Sequence, residues 1–98
     1  MIVVTSTFKS VPDSRAKIVE LSRPAVEATR KEKGCIRYEL FVSTEDDVTL
    51  QFIEEWTDID SLKSHLKSAH LAAFKEARKD FVQEGAVLKL FDAKETSI

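Results

Sequence analysis

Apolar and polar residues alternate from Ile2 to Lys9, with Ile2, Val4, Ser6 and Phe8 on one side and Val3, Thr5, Thr7 and Lys9 on the other. A repeat of two predicts a strand. The period then lengthens. Ser10, Pro12 and Asp13 offer a cap, an early proline and acidic charge, the signals of a helix start. From there to Lys33, Ile18, Leu21, Ala25 and Ala28 fall on one helical stripe edged by Val19 and Val26. Glu20, Arg23, Glu27, Arg30 and Lys31 fall opposite, and Gly34 after a basic run reads as the stop. Pro24 inside this helix lacks the N–H that would bond to Glu20 and predicts a kink.

Cys35 to Val42 and Val48 to Trp56 are strand-like, and the polar turn from Ser43 to Asp47 makes them a hairpin. Thr57, Asp58 and Asp60 open a further helix with Leu62, His65, Leu66 and Ala69 on one face. Ser68 caps a second helical segment whose face carries His70, Phe74, Ala77 and Phe81. Gly85 ends that segment, Ala86 to Asp92 forms a fourth strand, and residues 93–98 read as a loose tail. The order β-α-β-β-α-β, with the second helix broken, predicts a ferredoxin-like α+β fold, a four-stranded antiparallel sheet with its helices on one face. Val3, Phe41, Ile53, Val87 and Phe91 would then point away from the helices, which suggests a second copy of the chain against that side.

The 98 residues suit one domain, 1–98, and 43% apolar with 33% charged residues is ordinary for a globular protein. A net charge of −2 with scattered lysines and arginines argues against a nucleic-acid partner. No apolar run approaches the length of a membrane span, and the N-terminus starts a strand without a secretory leader pattern. The lone Cys35 excludes an internal disulfide. Cytoplasm is the expected compartment.

Chemistry concentrates after the hairpin. Val48, Leu50, Phe52, Glu54 and Trp56 share one face of their strand, so a carboxylate and the chain's single indole end an apolar row. A helix carrying His65 on its apolar face follows immediately. His65 suits a general base or a hydrogen-bond partner for a substrate hydroxyl, against the plainer role of a satisfied core histidine. Glu54 either anchors the strand or orients His65 and stabilises its charged form, and a carboxylate in an apolar row must find partners or shift its pKa upward. Trp56, Phe52 and Tyr38 are core or pocket wall, with the Trp56 indole N–H free to donate. His70 either closes the break between helical segments or joins the pocket with Phe74. His65, His70 and Glu54 together raise the thought of zinc, but a spacing of five fits no helical ligand pair, so no metal is expected. Arg37 and Glu39 pair on the opposite face of their strand, and Cys35 shares that face.

The run Gly34-Cys35-x-x-Tyr38, Glu54-x-Trp56, His65 and Ser68-x-His70-x-x-x-Phe74 resembles the antibiotic biosynthesis monooxygenase family of dimeric α+β barrel proteins, including small bacterial quinol monooxygenases. The resemblance covers nearly the whole chain. It implies a homodimer with sheets face to face and a pocket in each subunit between sheet and helices. Oxygenases of this kind use no metal, flavin or haem, and act on electron-rich phenols, anthrones or hydroquinones whose anions react with dioxygen themselves. It therefore implies a hydroquinone-like or polycyclic phenolic substrate, with His65 and Glu54 catalytic and Trp56, Phe52, Tyr38, His70 and Phe74 around the substrate. Two other functions sit on the same architecture. A small-molecule isomerase or a non-catalytic binding module needs no oxygen. Haem-degrading relatives use an Asn on the first strand and a later helical His, where this chain has Val3-Val4-Thr5-Ser6-Thr7 and a residue near Lys75.

Overall fold

Strand β1 (Ile2–Ser10) lies inside the sheet, between β3 (Thr49–Trp56) and β4 (Val82–Asp92), and β2 (Cys35–Val42) completes the order β2-β3-β1-β4. All three pairings are antiparallel. The structure is a computed structural model describing residues 1–98. Its architecture is the ferredoxin-like α+β fold expected from the element order. Register aligns side chains into rows across the helix-facing side. Leu90, Val4, Glu54 and Tyr38 form one row; Leu88, Ser6, Phe52 and Leu40 form the next.

Helix α1 (Arg15–Arg30) buries Ile18, Ser22, Ala25 and Thr29, so the buried stripe sits slightly around the helix from the expected one, with Leu21 and Ala28 half-buried. The helix starts at Ser14 rather than at Ser10 to Asp13, and runs continuously through Pro24. Helix α2 (Ile59–Leu66) is capped by Asp58, which accepts from Ser61 N, and α3 (Ala69–Arg78) by Ser68, which accepts from Leu71 N. That break between α2 and α3 was legible in the chain. The core joins Val4, Phe8, Leu50, Phe52 and Trp56 from the sheet to Ile18, Leu62, Leu71 and Phe74 from the helices.

Three expectations are corrected here. First, a register shift lies between Cys35 and Arg37, which aligns Cys35 with Trp56 and packs it against the core; it does not share the outer face with Arg37. Second, α3 presents Leu71, Phe74 and Arg78 to the interior, while Ala77 is exposed and His70 only half-buried. Third, Gly85 does not end a helix. A short 3-10 turn over Lys79–Phe81 leads straight into β4 at Val82, and Gly85 lies within the strand beside two register shifts against β1. Beyond Val82, every β4 residue is exposed, so the helical layer leaves this strand bare on both faces. The Arg37 side chain bonds Glu39 at 2.7 Å on its own strand and approaches Glu55 across the ladder at 3.5 Å.

Candidate functional site

Gly34 sets the geometry of the site. It adopts φ +83°, a region open to glycine at little cost, and a Cβ there would run into the Ser61 side chain and Thr57 Oγ1. Its carbonyl accepts from Thr57 N at 2.9 Å. The loop after α1 is thereby pressed against the start of α2, and Glu32, two residues earlier, reaches both histidines. Glu32 Oε2 lies 2.7 Å from His65 Nδ1 and 2.9 Å from His70 Nε2.

This overturns the expected pairing of Glu54 with His65. Glu54 instead accepts from the Trp56 indole N–H at 3.0 Å, so that N–H is not free for a ligand. A carboxylate oxygen with no proton can only accept, so Glu32 fixes the proton of His65 on Nδ1 and leaves Nε2 as the basic nitrogen. The imidazole is held by its neighbours as well: the Trp56 ring lies 4.9 Å away at 33°, and Tyr38 meets it edge-on at 5.2 Å. Burial pushes the His65 pKa down, opposed by its bond to Glu32, so the neutral base is favoured. Burial pushes Glu54 up to about 7, with the indole bond pulling the other way. Tyr38 is raised well above the usual phenol value, mainly by burial.

Below these groups lies a cavity of about 260 Å³ lined by Tyr38, Phe52, Glu54, His65, Leu71 and Arg78, with Ser6, Lys75, Ala86 and Leu88 among its other walls. This volume is just under the ~300–1,000 Å³ of pockets for drug-sized ligands, which suits one or two fused rings better than a larger polycycle. An open groove of about 610 Å³ runs along α1 and Leu40, but none of the buried titratable side chains lines it. Of the seven residues singled out in the sequence, the cavity brings together His65, Glu54, Phe52 and Tyr38. Trp56 is fully buried behind His65 and does not line it. Phe74 packs edge-on against Phe52 at 6.0 Å, and His70 sits on the far side of Glu32.

Sequence reasoning missed Glu32, Lys75 and Arg78. Glu32 is the one acidic residue in the run Arg30-Lys31-Glu32-Lys33, just ahead of Gly34, and that isolation was the available signal. Arg78 follows Leu71 and Phe74 at helical spacing, a charge on an apolar stripe. The five-residue spacing of His65 and His70 does not keep them apart, because the α2–α3 break brings both imidazoles to one carboxylate. Glu32, His65 and His70 offer ligand atoms within 4.8 Å of one another. Their 2.7 and 2.9 Å contacts are hydrogen-bond distances. Ligands ~2.0–2.1 Å from a tetrahedral ion stand roughly 3.3 Å apart, so the present arrangement is that of shared protons.

The antibiotic biosynthesis monooxygenase family model matches residues 1–77. An uncharacterized protein of Synechocystis, sll1783, is 30% identical over 97% of this chain, which spans 65% of that relative's length. The Escherichia coli protein named "Probable quinol monooxygenase YgiN" is 29% identical over 86% of this chain and 90% of its own. A crystal structure of an antibiotic biosynthesis monooxygenase superposes with TM-score 0.87 at 29% identity, covering 97% of this chain and all of that one.

Proposed function

Because the chain belongs to the antibiotic biosynthesis monooxygenase family, we propose that it is a monooxygenase needing no cofactor, which oxidises a hydroquinone-like or related phenolic substrate with dioxygen. The observation that carries this reading is the Glu32–His65 pair. A carboxylate on Nδ1 leaves a neutral, oriented imidazole whose Nε2 can serve an aromatic-floored cavity. His65 Nε2 takes the proton of a ring hydroxyl. The resulting anion supplies electrons to dioxygen, one oxygen atom forms a new C–O bond, and the O–O bond breaks with the second atom leaving as water. A hydroquinone plus dioxygen thus gives a hydroxyquinone plus water, and no external reductant is required. Glu54, near half-protonated at neutral pH, is suited to returning a proton to reduced oxygen.

The active form is a homodimer built on the outer face of the sheet, where Phe41, Val87 and Phe91 are exposed and Val3 and Ile53 are partly exposed. No helix is long and apolar enough to cross a membrane. Half-buried, unpaired Cys35 suits a reducing compartment such as the cytoplasm.

Oxygen uptake with reduced naphthoquinones tests the reading, with spontaneous autoxidation subtracted and metal removed beforehand. The wild type accelerates uptake, and His65→Ala loses roughly 10²–10⁴-fold of that acceleration. Equal rates with and without protein across a panel of such quinols would sink it. An isomerase is the second reading, favoured by the same neutral base and high-pKa carboxyl, which together could move a proton between two carbons; its turnover would persist without oxygen.

A further inference from the structure

The mechanism above leaves one charged group unused. Arg78 is 9% exposed, and its guanidinium forms neither a salt bridge nor a hydrogen bond to any residue. It lies over the rings of Phe8 and Phe74 at 4.4 and 4.7 Å and lines the cavity. Cation–π contact of this kind contributes ~1–2 kcal/mol, and the guanidinium, without an anionic partner among the side chains and not fully enclosed, stays open to an anion from the cavity it lines. An anion in the cavity would supply the missing partner. Lys75, one turn earlier on α3, adds a second positive charge to the same walls.

The aromatic floor gives the direction. From His65 it runs through Tyr38 (5.2 Å) and Phe52 (5.0 Å) to Phe8 and Phe74 (6.1 and 6.0 Å), over which Arg78 sits. Base and cation both line the cavity and are separated along a run of tilted and edge-on rings, of which Tyr38 and Phe52 face the cavity. We propose that Arg78, aided by Lys75, is an anion-binding subsite, and that the substrate is a one- or two-ring hydroxyarene bearing an anionic oxygen group opposite the hydroxyl that His65 deprotonates. The group is a carboxylate or an already ionised ring oxygen; a planar guanidinium fork accepts either. The orientation rests on the His65 reading, whereas anion binding at Arg78 does not.

Calorimetric titration of the whole protein with unreactive probes, under nitrogen, separates the two. The probes are hydroxynaphthoate, its uncharged carboxamide, and a dihydroxynaphthalene brought to a pH where it ionises. The wild type is expected to bind the carboxylate at least tenfold more tightly than the carboxamide. Arg78→Met, which keeps the stem packed over Phe8 and Phe74, reduces that preference to near unity. Arg78→Lys keeps part of it, and guards against a folding defect in the Met variant. Preference for the ionised dihydroxynaphthalene alone would assign the subsite to ring oxygens. A wild type that prefers neither the carboxylate nor the ionised dihydroxynaphthalene over the uncharged carboxamide overturns the proposal and marks Arg78 as a packing group. So does a preference that survives Arg78→Met. His65→Ala retains the acid preference while losing turnover, so failure of the base reading and failure of the subsite give different results.

Discussion

Two carboxylates serve the same site, Glu32 bonded to the His65 imidazole and Glu54 in the wall of the cavity that His65 lines, and their surroundings give them different work. Glu32 comes from the loop between α1 and β2, retains partial solvent contact, and takes two imidazole nitrogens on a single oxygen. Glu54 comes from the sheet, is 5% exposed, and has the Trp56 indole as its one side-chain donor. One therefore meets two imidazole nitrogens and is placed to orient a base. The other is short of donors, and burial makes it a weak acid poised near neutrality. Proximity in sequence pointed to Glu54 as the partner of His65, because β3 leads directly into α2. Donor count, and the backbone reach that Gly34 permits, assign that place to Glu32.

The strongest way to break this contrast is Glu32→Gln. An amide can present its N–H to Nδ1 and so favour the opposite tautomer, with the proton on Nε2. Quinol-dependent oxygen uptake should fall by roughly 10²–10⁴-fold, close to the loss from His65→Ala and with little change in secondary structure by circular dichroism. Retention of more than about a third of the activity would mean that Glu32 is merely an anchor.

Glu54→Gln acts on the other carboxylate and is expected to appear mainly in stability. The folded pKa is raised from 4.5 to about 7, so the folded state binds the proton more tightly than the unfolded chain. Wild-type stability should therefore fall as pH rises through that window, by roughly 3 kcal/mol in total. His65 contributes with the opposite sign. Its pKa is lowered below 6.5, so its contribution rises as pH climbs towards that value. Between about pH 4.5 and 7, Glu54→Gln removes the falling limb and leaves the rising one of His65. Urea unfolding midpoints measured across the range would show it, and parallel pH curves for wild type and variant would contradict the buried-acid assignment.

Much of the fold was legible because periods and punctuation agreed. The Cys35–Val42 strand, the cap at Ser68 and the break between α2 and α3 emerged where the sequence expected them. The site was half legible. His65, Glu54, Phe52 and Tyr38 lie on strongly patterned elements, so the faces they occupy follow from the pattern. Glu32 lies in a loop, where no period speaks, and only tertiary contact through Gly34 brings it to the histidines. Arg78 was hidden because Ala72, Ala73 and Ala77 dilute the stripe on α3, which then reads equally well one residue away. Gln83-Glu84-Gly85 resembles a turn by composition, yet pairing with β1 draws it into β4.

Glu32, rather than Glu54, is the carboxylate placed to govern the tautomer of His65. Heteronuclear NMR of the imidazole nitrogens across a pH titration tests it directly, comparing wild type, Glu32→Gln and Glu54→Gln. Wild-type His65 is expected to be neutral at pH 7 with its proton on Nδ1, a tautomer that Glu54→Gln leaves unchanged and Glu32→Gln shifts towards Nε2–H. A His65 whose tautomer changes with Glu54 and ignores Glu32 would contradict it.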